Sequence, residues 1–322
     1  MSYSTHGKKR KMKKDELRPE TLEDYVGQDH IKDLLWTSIE AAKIRDQQLD
    51  HVLLNGPPGL GKTTLALIIA RQMGWKIKTV IGPTVGSPKN ISKLIMGLED
   101  KSILFIDEIH RVNRPTQETI YPVLEDNKLQ SYLSTDVEIP IPPITIIGAT
   151  TNIGKLEQPF IDRFGLYFQL EYYSNTELGE IVFASAEKLQ FPIGHDGVDE
   201  ITKRARGTPR IANNFLKRLR DYCLVDGAEP TGKFTADIIW KYLHTDEHGL
   251  RPLDRRYLKA LDGKEAGLGL EALATIVREE PDTIEGFVEP YLVNLGLVER
   301  RRNGRWLTEN GKNFVQKMRS PG

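Results

Sequence analysis

The stretch His51-Val-Leu-Leu-Asn-Gly56-Pro-Pro-Gly-Leu-Gly-Lys62-Thr63-Thr64-Leu-Ala-Leu-Ile-Ile-Ala70 decides how this chain reads. A short apolar run runs straight into a glycine-rich turn, and the turn opens a helix-length apolar segment. Gly56 to Thr63 satisfies the spacing G-x-x-x-x-G-K-[ST] in the strand-to-helix context that gives the pattern its meaning. The chemistry of such a turn is anion binding. Its glycines let backbone N–H groups point at phosphate oxygens, and the helix start adds partial positive charge. Lys62 is placed to reach the β and γ phosphates of a nucleoside triphosphate, and the Thr63 hydroxyl to bind Mg²⁺.

Further along, Ile103-Leu-Phe-Ile-Asp107-Glu108 is an apolar strand ending in two carboxylates. A strand interior would not tolerate them, but its C-terminal end can. Asp107 suits the Mg²⁺ shell, and Glu108 is placed to orient and deprotonate a water for attack on the γ-phosphate. Around these two elements, β-rich runs at His51–Asn55, Lys76–Ile81, Ser102–Asp107, Ile144–Gly148 and Tyr167–Glu171 alternate with helix-length segments. That alternation predicts an α/β fold with a parallel sheet covered by helices.

From Ser174 to His248 the pattern turns helical, with Ile211, Phe215, Leu219 and Tyr222 forming one apolar stripe. From Gly249 onward it predicts helices, the last two at Leu270–Val277 and Ile284–Leu295. A hairpin with Asn303-Gly304 at its turn follows, and the order is that of a winged helix. The expected organisation is a basic tail over 1–16, a sheet domain over 17–173, a small helical domain over 174–248 and a winged helix over 249–322.

The 322 residues carry 45 Lys+Arg against 45 Asp+Glu, so no global basic field argues for nucleic acid. Local clusters must carry that argument. Lys8, Lys9, Arg10, Lys11, Lys13 and Lys14 read as a solvated tail, while Arg300, Arg301, Arg302 and Arg305 crowd the wing turn and suit phosphate contact. Cys223 is the lone cysteine, which excludes an internal disulfide and, with the apolar runs too short to cross a bilayer, predicts a cytoplasmic protein. Cys223 itself reads as a buried small hydrophobe and Trp306 as a strand-packing residue. His244 and His248, four apart, would share a helix face, but the intervening Thr-Asp-Glu supplies no metal-site pattern.

Several segments together resemble the AAA+ ATPases, and within them the RuvB family of Holliday-junction branch-migration motors. They are Arg18-Pro-Glu-Thr-Leu-Glu-Asp-Tyr-Val-Gly-Gln28, the phosphate loop, Asp107-Glu-Ile-His-Arg111, Tyr121-Pro-Val-Leu-Glu-Asp126, Gly148-Ala-Thr-Thr151, Asp162-Arg-Phe-Gly165, Arg206-Gly-Thr-Pro-Arg-Ile-Ala-Asn213 and Gly249-Leu-Arg-Pro-Leu-Asp-Arg-Arg256. The resemblance implies a P-loop AAA+ domain, a helical lid and a C-terminal winged helix, with ATP and Mg²⁺ as cofactors. It implies that Leu17 and Arg18 border the adenine with Tyr173 opposite, and that Gly59, Gly61, Lys62, Thr63 and Thr64 contact phosphates. Thr151 resembles the sensor of the γ-phosphate, Arg163 an arginine finger lent to a neighbouring subunit, and Arg210 a second sensor. Arg300 and Arg305 match the DNA-contacting pair. A hexameric ring on the duplex arms of a Holliday junction is implied too, as is a RuvA-like partner docked on the hairpin at 127–143.

That hairpin is several residues shorter than the family pattern and differs in sequence, and Ile81-Gly-Pro-Thr-Val-Gly-Ser-Pro departs from it after Gly-Pro. Two other readings stay open at this point: a clamp-loader or helicase-loader-like assembly factor, and an ATP-gated DNA-binding regulator. Asp162-Arg-Phe-Gly in place of a clamp loader's Ser-Arg-Cys argues against the first. Intact Lys62, Asp107, Glu108 and Arg163 argue against the second.

Overall fold

A computed structural model of the chain describes residues 17–130, 138–264 and 266–319. The expected basic tail and the tip of the 127–143 hairpin lie outside them. The chain forms two compact units, one running to Glu171 and including Ala184–Phe191, the other comprising Tyr172–Phe183 and Pro192 onward.

The strands of the first unit are β1 (Val52–Asn55), β2 (Lys76–Ile81), β3 (Ser102–Asp107), β4 (Lys128–Gln130), β5 (Glu138–Pro140), β6 (Ile144–Thr150) and β7 (Leu166–Gln169). Its helices are α1 (Asp29–Ile44), α2 (Lys62–Met73), α3 (Pro88–Met96), α4 (Arg114–Asp126) and the short α5 (Gln158–Ile161). Five strands form one parallel sheet in the order β2-β3-β6-β1-β7. β1 and β6 are buried along their whole length, which is why they read as unbroken apolar runs. β2 is an edge strand and keeps Lys76 and Lys78 in solvent, where their charge discourages pairing with another chain. One sheet face buries Leu53, Leu104, Ile106, Ile144 and Ile146 against Ile91 and Ile95 of α3 and Ile120 and Val123 of α4. Each such side chain contributes about 1.5–3 kcal/mol. α2 covers β3 and β6, with α1 packed on α2. The segment at 127–143 does pair as an antiparallel hairpin, β4 with β5, anchored by buried Leu129 and Ile141.

The second unit holds α6 (Asn175–Lys188, shared with the first unit), α7 (His195–Arg204), α8 (Pro209–Asp226) and α9 (Gly232–Leu243), then α10 (Pro252–Leu261) and α11 (Leu270–Val277). Next come α12 (Pro281–Thr283), a π-helical turn at Ile284–Val288 and α13 (Glu289–Asn294), followed by β8 (Val298–Arg301), β9 (Gly304–Leu307) and α14 (Glu309–Arg319). Tyr257, Leu258, Leu273, Ile284, Leu292 and Val298 centre its winged-helix core. A buried ion pair fastens the segment after α7 to α10: Arg206 Nη1 lies 3.1 Å from Asp254 Oδ2, and the same guanidinium sits 4.0 Å over the Tyr291 ring.

Several expectations need correction. The single helix expected over Ile284–Leu295 divides into the π-helical turn at Ile284–Val288 and α13. The buried face of α8 is Ala212, Phe215, Leu216 and Leu219, leaving Ile211 and Tyr222 half-buried. Cys223 is likewise half-buried, its thiol pushed up by burial. The wing register pairs Arg301 with Gly304, so the turn is Arg302-Asn303, one residue earlier than the Asn-Gly pattern suggests. α14 follows the hairpin, although Ile284–Leu295 was expected as the last helix, and Asn310-Gly311 is turn-type chemistry that the fold overrides. Here Gly311 serves close approach: a Cβ on it would lie 2.0 Å from the Leu297 carbonyl oxygen.

His51 precedes β1 and does not join it. Its buried ring accepts a hydrogen bond at Nδ1 from Ile146 N–H at 2.9 Å, and burial pushes its pKa down to about 4. The folded value lies below the unfolded value of 6.5, so the unfolded chain takes up the proton first. Stability is therefore full above pH 6.5 and is lost as pH falls towards 4. Between about pH 7 and pH 4.5, urea unfolding should show the wild type losing about 2 kcal/mol more than His51→Asn, which keeps an acceptor but does not titrate. Equal losses would remove His51 from the acid response.

Candidate active site

β1 sits between β6 and β7, although β2 and β3 intervene in sequence, so the connection order changes direction at the C-terminal end of β1. In an open parallel sheet that crevice is where ligands bind. Gly56 to Gly61 leave β1 at this end and α2 begins at Lys62. Gly59 and Gly61 have φ of 89° and 108°, and a Cβ on Gly61 would fall 2.4 Å from the Tyr25 hydroxyl. That hydroxyl donates to the Leu60 carbonyl at 3.2 Å and braces the loop from beneath. The buried Lys62 ammonium donates to the carbonyls of Gly56 (2.5 Å) and Pro57 (3.0 Å), so it spans the concave side of its own turn. Thr63 and Thr64 follow in the first turn of α2.

β3 and β6 bring the remaining groups to the same sheet edge. Asp107 ends β3, and its Oδ1 accepts from Glu108 N–H at 3.0 Å. Glu108 takes a left-handed φ of 52° and turns its carboxylate towards β6. The Thr151 hydroxyl, just past the end of β6, donates to Glu108 Oε2 at 3.2 Å. His110 Nδ1 lies 3.4 Å from the same oxygen and 3.0 Å from the buried Thr150 hydroxyl. Burial lowers the His110 pKa against the opposing pull of Glu108, which favours the neutral ring at pH 7. Asp107, Glu108 and Thr151 are thus brought together as expected. His110 was not singled out, although the quoted Asp-Glu-Ile-His run contained it. The missing signal was the β3–β6 pairing that sets it beside Thr150.

Arg163 is held by α4 of its own chain. Its Nε lies 2.9 Å from Glu125 Oε1, its Nη1 donates to the Pro159 carbonyl at 2.5 Å, and its guanidinium sits 4.4 Å over the Tyr121 ring. Tyr121 and Glu125 are one helical turn apart on α4, and no pattern within that helix marks Arg163 as their partner. Leu17 and Arg18 belong to the sheet unit, where the Arg18 carbonyl accepts from Lys188 Nζ at 3.0 Å. Tyr173 and Arg210 belong to the second unit, Tyr173 buried and Arg210 exposed on the first turn of α8. Arg300 and Arg305 face each other across the wing, both directed at the carboxylate of Glu289.

Family models match the chain in three consecutive parts. The Holliday junction DNA helicase RuvB P-loop domain covers 17–170, the RuvB AAA lid domain 173–246 and the RuvB C-terminal winged helix domain 247–316. The chain belongs to the RuvB family. It is 43% identical over 310 residues to the Holliday junction branch migration complex subunit RuvB of Synechococcus sp. (strain RCC307), covering 93% of this chain and 89% of that one. The Thermotoga maritima RuvB Holliday junction branch migration motor aligns with a TM-score of 0.84 and 38% identity over 94% of this chain and 98% of that one. A mutant form of that protein aligns at 0.85 and 38%, covering 95% and 99%. As a RuvB family member the chain is an AAA+ ATPase of branch migration, and neither the assembly-factor nor the regulator reading is favoured.

The donor set at the sheet edge fits Mg²⁺. Of the hydroxyls and carboxylates there, Thr63 on the first turn of α2 and Asp107 at the end of β3 could hold the ion, which characteristically takes few protein ligands beside phosphate oxygens and water. Lys62→Ala should abolish ATP binding or turnover. Glu108→Gln should still bind a fluorescent ATP analogue while turnover falls by about 100-fold or more. Wild-type turnover in Glu108→Gln would remove Glu108 from the water-activating role.

Proposed function

We propose that this chain assembles into a ring, hexameric by family resemblance, that pulls the duplex arms of a Holliday junction through cycles of ATP hydrolysis. Gly59, Gly61, Lys62, Thr63 and Thr64 hold the triphosphate, with Leu17, Arg18 and Tyr173 around the base. Glu108 accepts the proton of the attacking water, and Thr151 orients both the water and the carboxylate. Mg²⁺, when bound at Thr63 and Asp107, neutralises charge on the β and γ phosphates. The observation that carries this reading is the Thr151–Glu108 hydrogen bond, which joins the water-activating carboxylate to the γ-phosphate sensor at the edge where the phosphate loop leaves the sheet.

Arg163 completes the site of the adjoining subunit, so hydrolysis depends on assembly; arginine fingers contribute about 10³–10⁵ in rate. To act in trans it exchanges Glu125 and Tyr121 for a phosphate oxygen. Arg210 reports nucleotide state to the second unit, and the wing with Arg300 and Arg305 grips the duplex. We assign domain boundaries after residues 173 and 248, a RuvA-like protein as the partner docked on the 127–143 hairpin, and the cytoplasm as the compartment. No helix among the described residues is long and apolar enough to cross a membrane.

Two measurements test this. Arg163→Ala subunits should be inactive alone yet regain turnover when mixed with Lys62→Ala subunits, whose intact fingers reach the variants' sound phosphate loops. Without rescue, the trans assignment fails. With ATP and Mg²⁺, the chain should dissociate a synthetic four-way junction faster when a RuvA-like partner is added. Junction-stimulated turnover without strand movement would exclude the motor.

A further inference from the structure

Glu289 is fully buried at the start of α13, an unusual place for a carboxylate. The Tyr257 hydroxyl donates to its Oε1 at 3.0 Å and Arg305 Nε donates to the same oxygen at 2.9 Å, while Arg300 Nε lies 2.5 Å from Oε2. Burial and the adjacent carboxylate push the Tyr257 pKa up, so the hydroxyl remains a donor. One cation would neutralise Glu289. Two are present, each with its Nε nearest the carboxylate: Arg305 hydrogen-bonds Oε1, whereas Arg300 pairs with Oε2 by charge, without a hydrogen bond.

A guanidinium held by its Nε edge offers its Nη groups on the other side, the edge that pairs with phosphate. In this wing those outer groups meet Glu285. Arg300 Nη2 donates to the Glu285 carbonyl at 3.1 Å, and Arg300 Nη1 and Arg305 Nη2 lie 3.6 and 3.5 Å from Glu285 Oε1. The Glu285 side chain is 51% exposed, against 0% for Glu289, so the two carboxylates on the same arginine pair differ in how readily they can leave.

We propose that Glu289 is a positioning residue that sets Arg300 and Arg305 as one two-pronged seat for a backbone phosphate of duplex DNA, and that the Glu285 carboxylate is a stand-in which the phosphate displaces. The proposal rests on the reading that the wing grips DNA. It makes two acidic residues of one segment act in opposite senses: Glu285 competes with the phosphate, whereas Glu289 prepares its seat. A motor that must release each phosphate as it advances gains from an internal competitor, because the vacated arginines are re-paired at once.

The test is fluorescence anisotropy of a labelled mixed-sequence duplex titrated with the full-length chain at several salt concentrations. Glu285→Gln should bind about two- to fivefold more tightly, with a salt slope steeper by up to about 0.9. Glu289→Gln removes the same charge and should bind about fivefold or more weakly, because the arginines lose their anchor. The gain from Glu285→Gln should vanish in an Arg300→Ala background. If both glutamine variants tighten binding, only net charge matters and the proposal is overturned; if Glu285→Gln changes nothing, it is equally overturned. Circular dichroism reports whether Glu289→Gln folds. If it does not, Glu285→Gln decides, and a gain that persists with Arg300→Ala refutes the seat. The Arg300→Ala, Arg305→Ala double variant separates the two levels. If it binds duplex like the wild type, the wing reading itself fails. If it loses affinity while Glu285→Gln is inert, only the present inference does.

Discussion

The parallel pairing of β6 with β1 on one side and β3 on the other is the constraint on which the active site depends. It aligns the ends of three strands that are far apart in sequence, so that the phosphate loop, Asp107-Glu108 and Thr150-Thr151 emerge along one edge. Their flanking apolar residues are buried on both faces, and shifting one strand by a residue would exchange its faces and remove the Thr151–Glu108 contact. The catalytic geometry is therefore held by hydrophobic packing many kcal/mol larger than the individual hydrogen bonds it positions, which contribute only about 1 kcal/mol each.

The second unit solves a different problem, that of carrying charges inside a small helical core. Arg206 and Asp254 are both buried, yet the pair is accommodated by bidentate geometry, by the Tyr291 ring under the guanidinium, and by Arg251 N–H donating to Asp254 at 2.8 Å. Removing one partner of such a pair costs about 3–5 kcal/mol, so the pair ties the loop that leads to Arg210 to the first helix of the winged part. Arg255 adds a second tie, to Asp246 at 2.8 Å and to the Leu250 carbonyl.

Charge plays two roles at the wing that composition could not separate. Four arginines near a turn read as one basic patch. In the fold, Arg300 and Arg305 are committed to Glu289, while Arg301 pairs with Glu299 and lies 5.1 Å over the Trp306 ring. Trp306 belongs to β9, is half-buried, and its Nε1 donates to Asn303 Oδ1 at 3.2 Å. His244 and His248 do not share a helix, since α9 ends at Leu243.

Local features could be read directly from the residues. Gly56 to Thr63 needs only its own backbone torsions to form an anion-binding turn, the apolar runs at 102–107 and 144–148 need only β-propensity and burial, and the two carboxylates at 107 and 108 can lie only at a strand end. Helix α11 and edge strand β2 were legible for the same reason. Features that turn on which distant segments meet were set by the fold. Examples are His110 beside Thr150, Arg163 resting on Tyr121 and Glu125, the α8 stripe displaced to Ala212 and Leu216, and a glycine that reads as a break but lets α14 pass a carbonyl. Each is set by packing between segments far apart in sequence, where burial changes the value of a charge by several kcal/mol and of a methyl group by about 1 kcal/mol, and no periodicity within one segment records its neighbour.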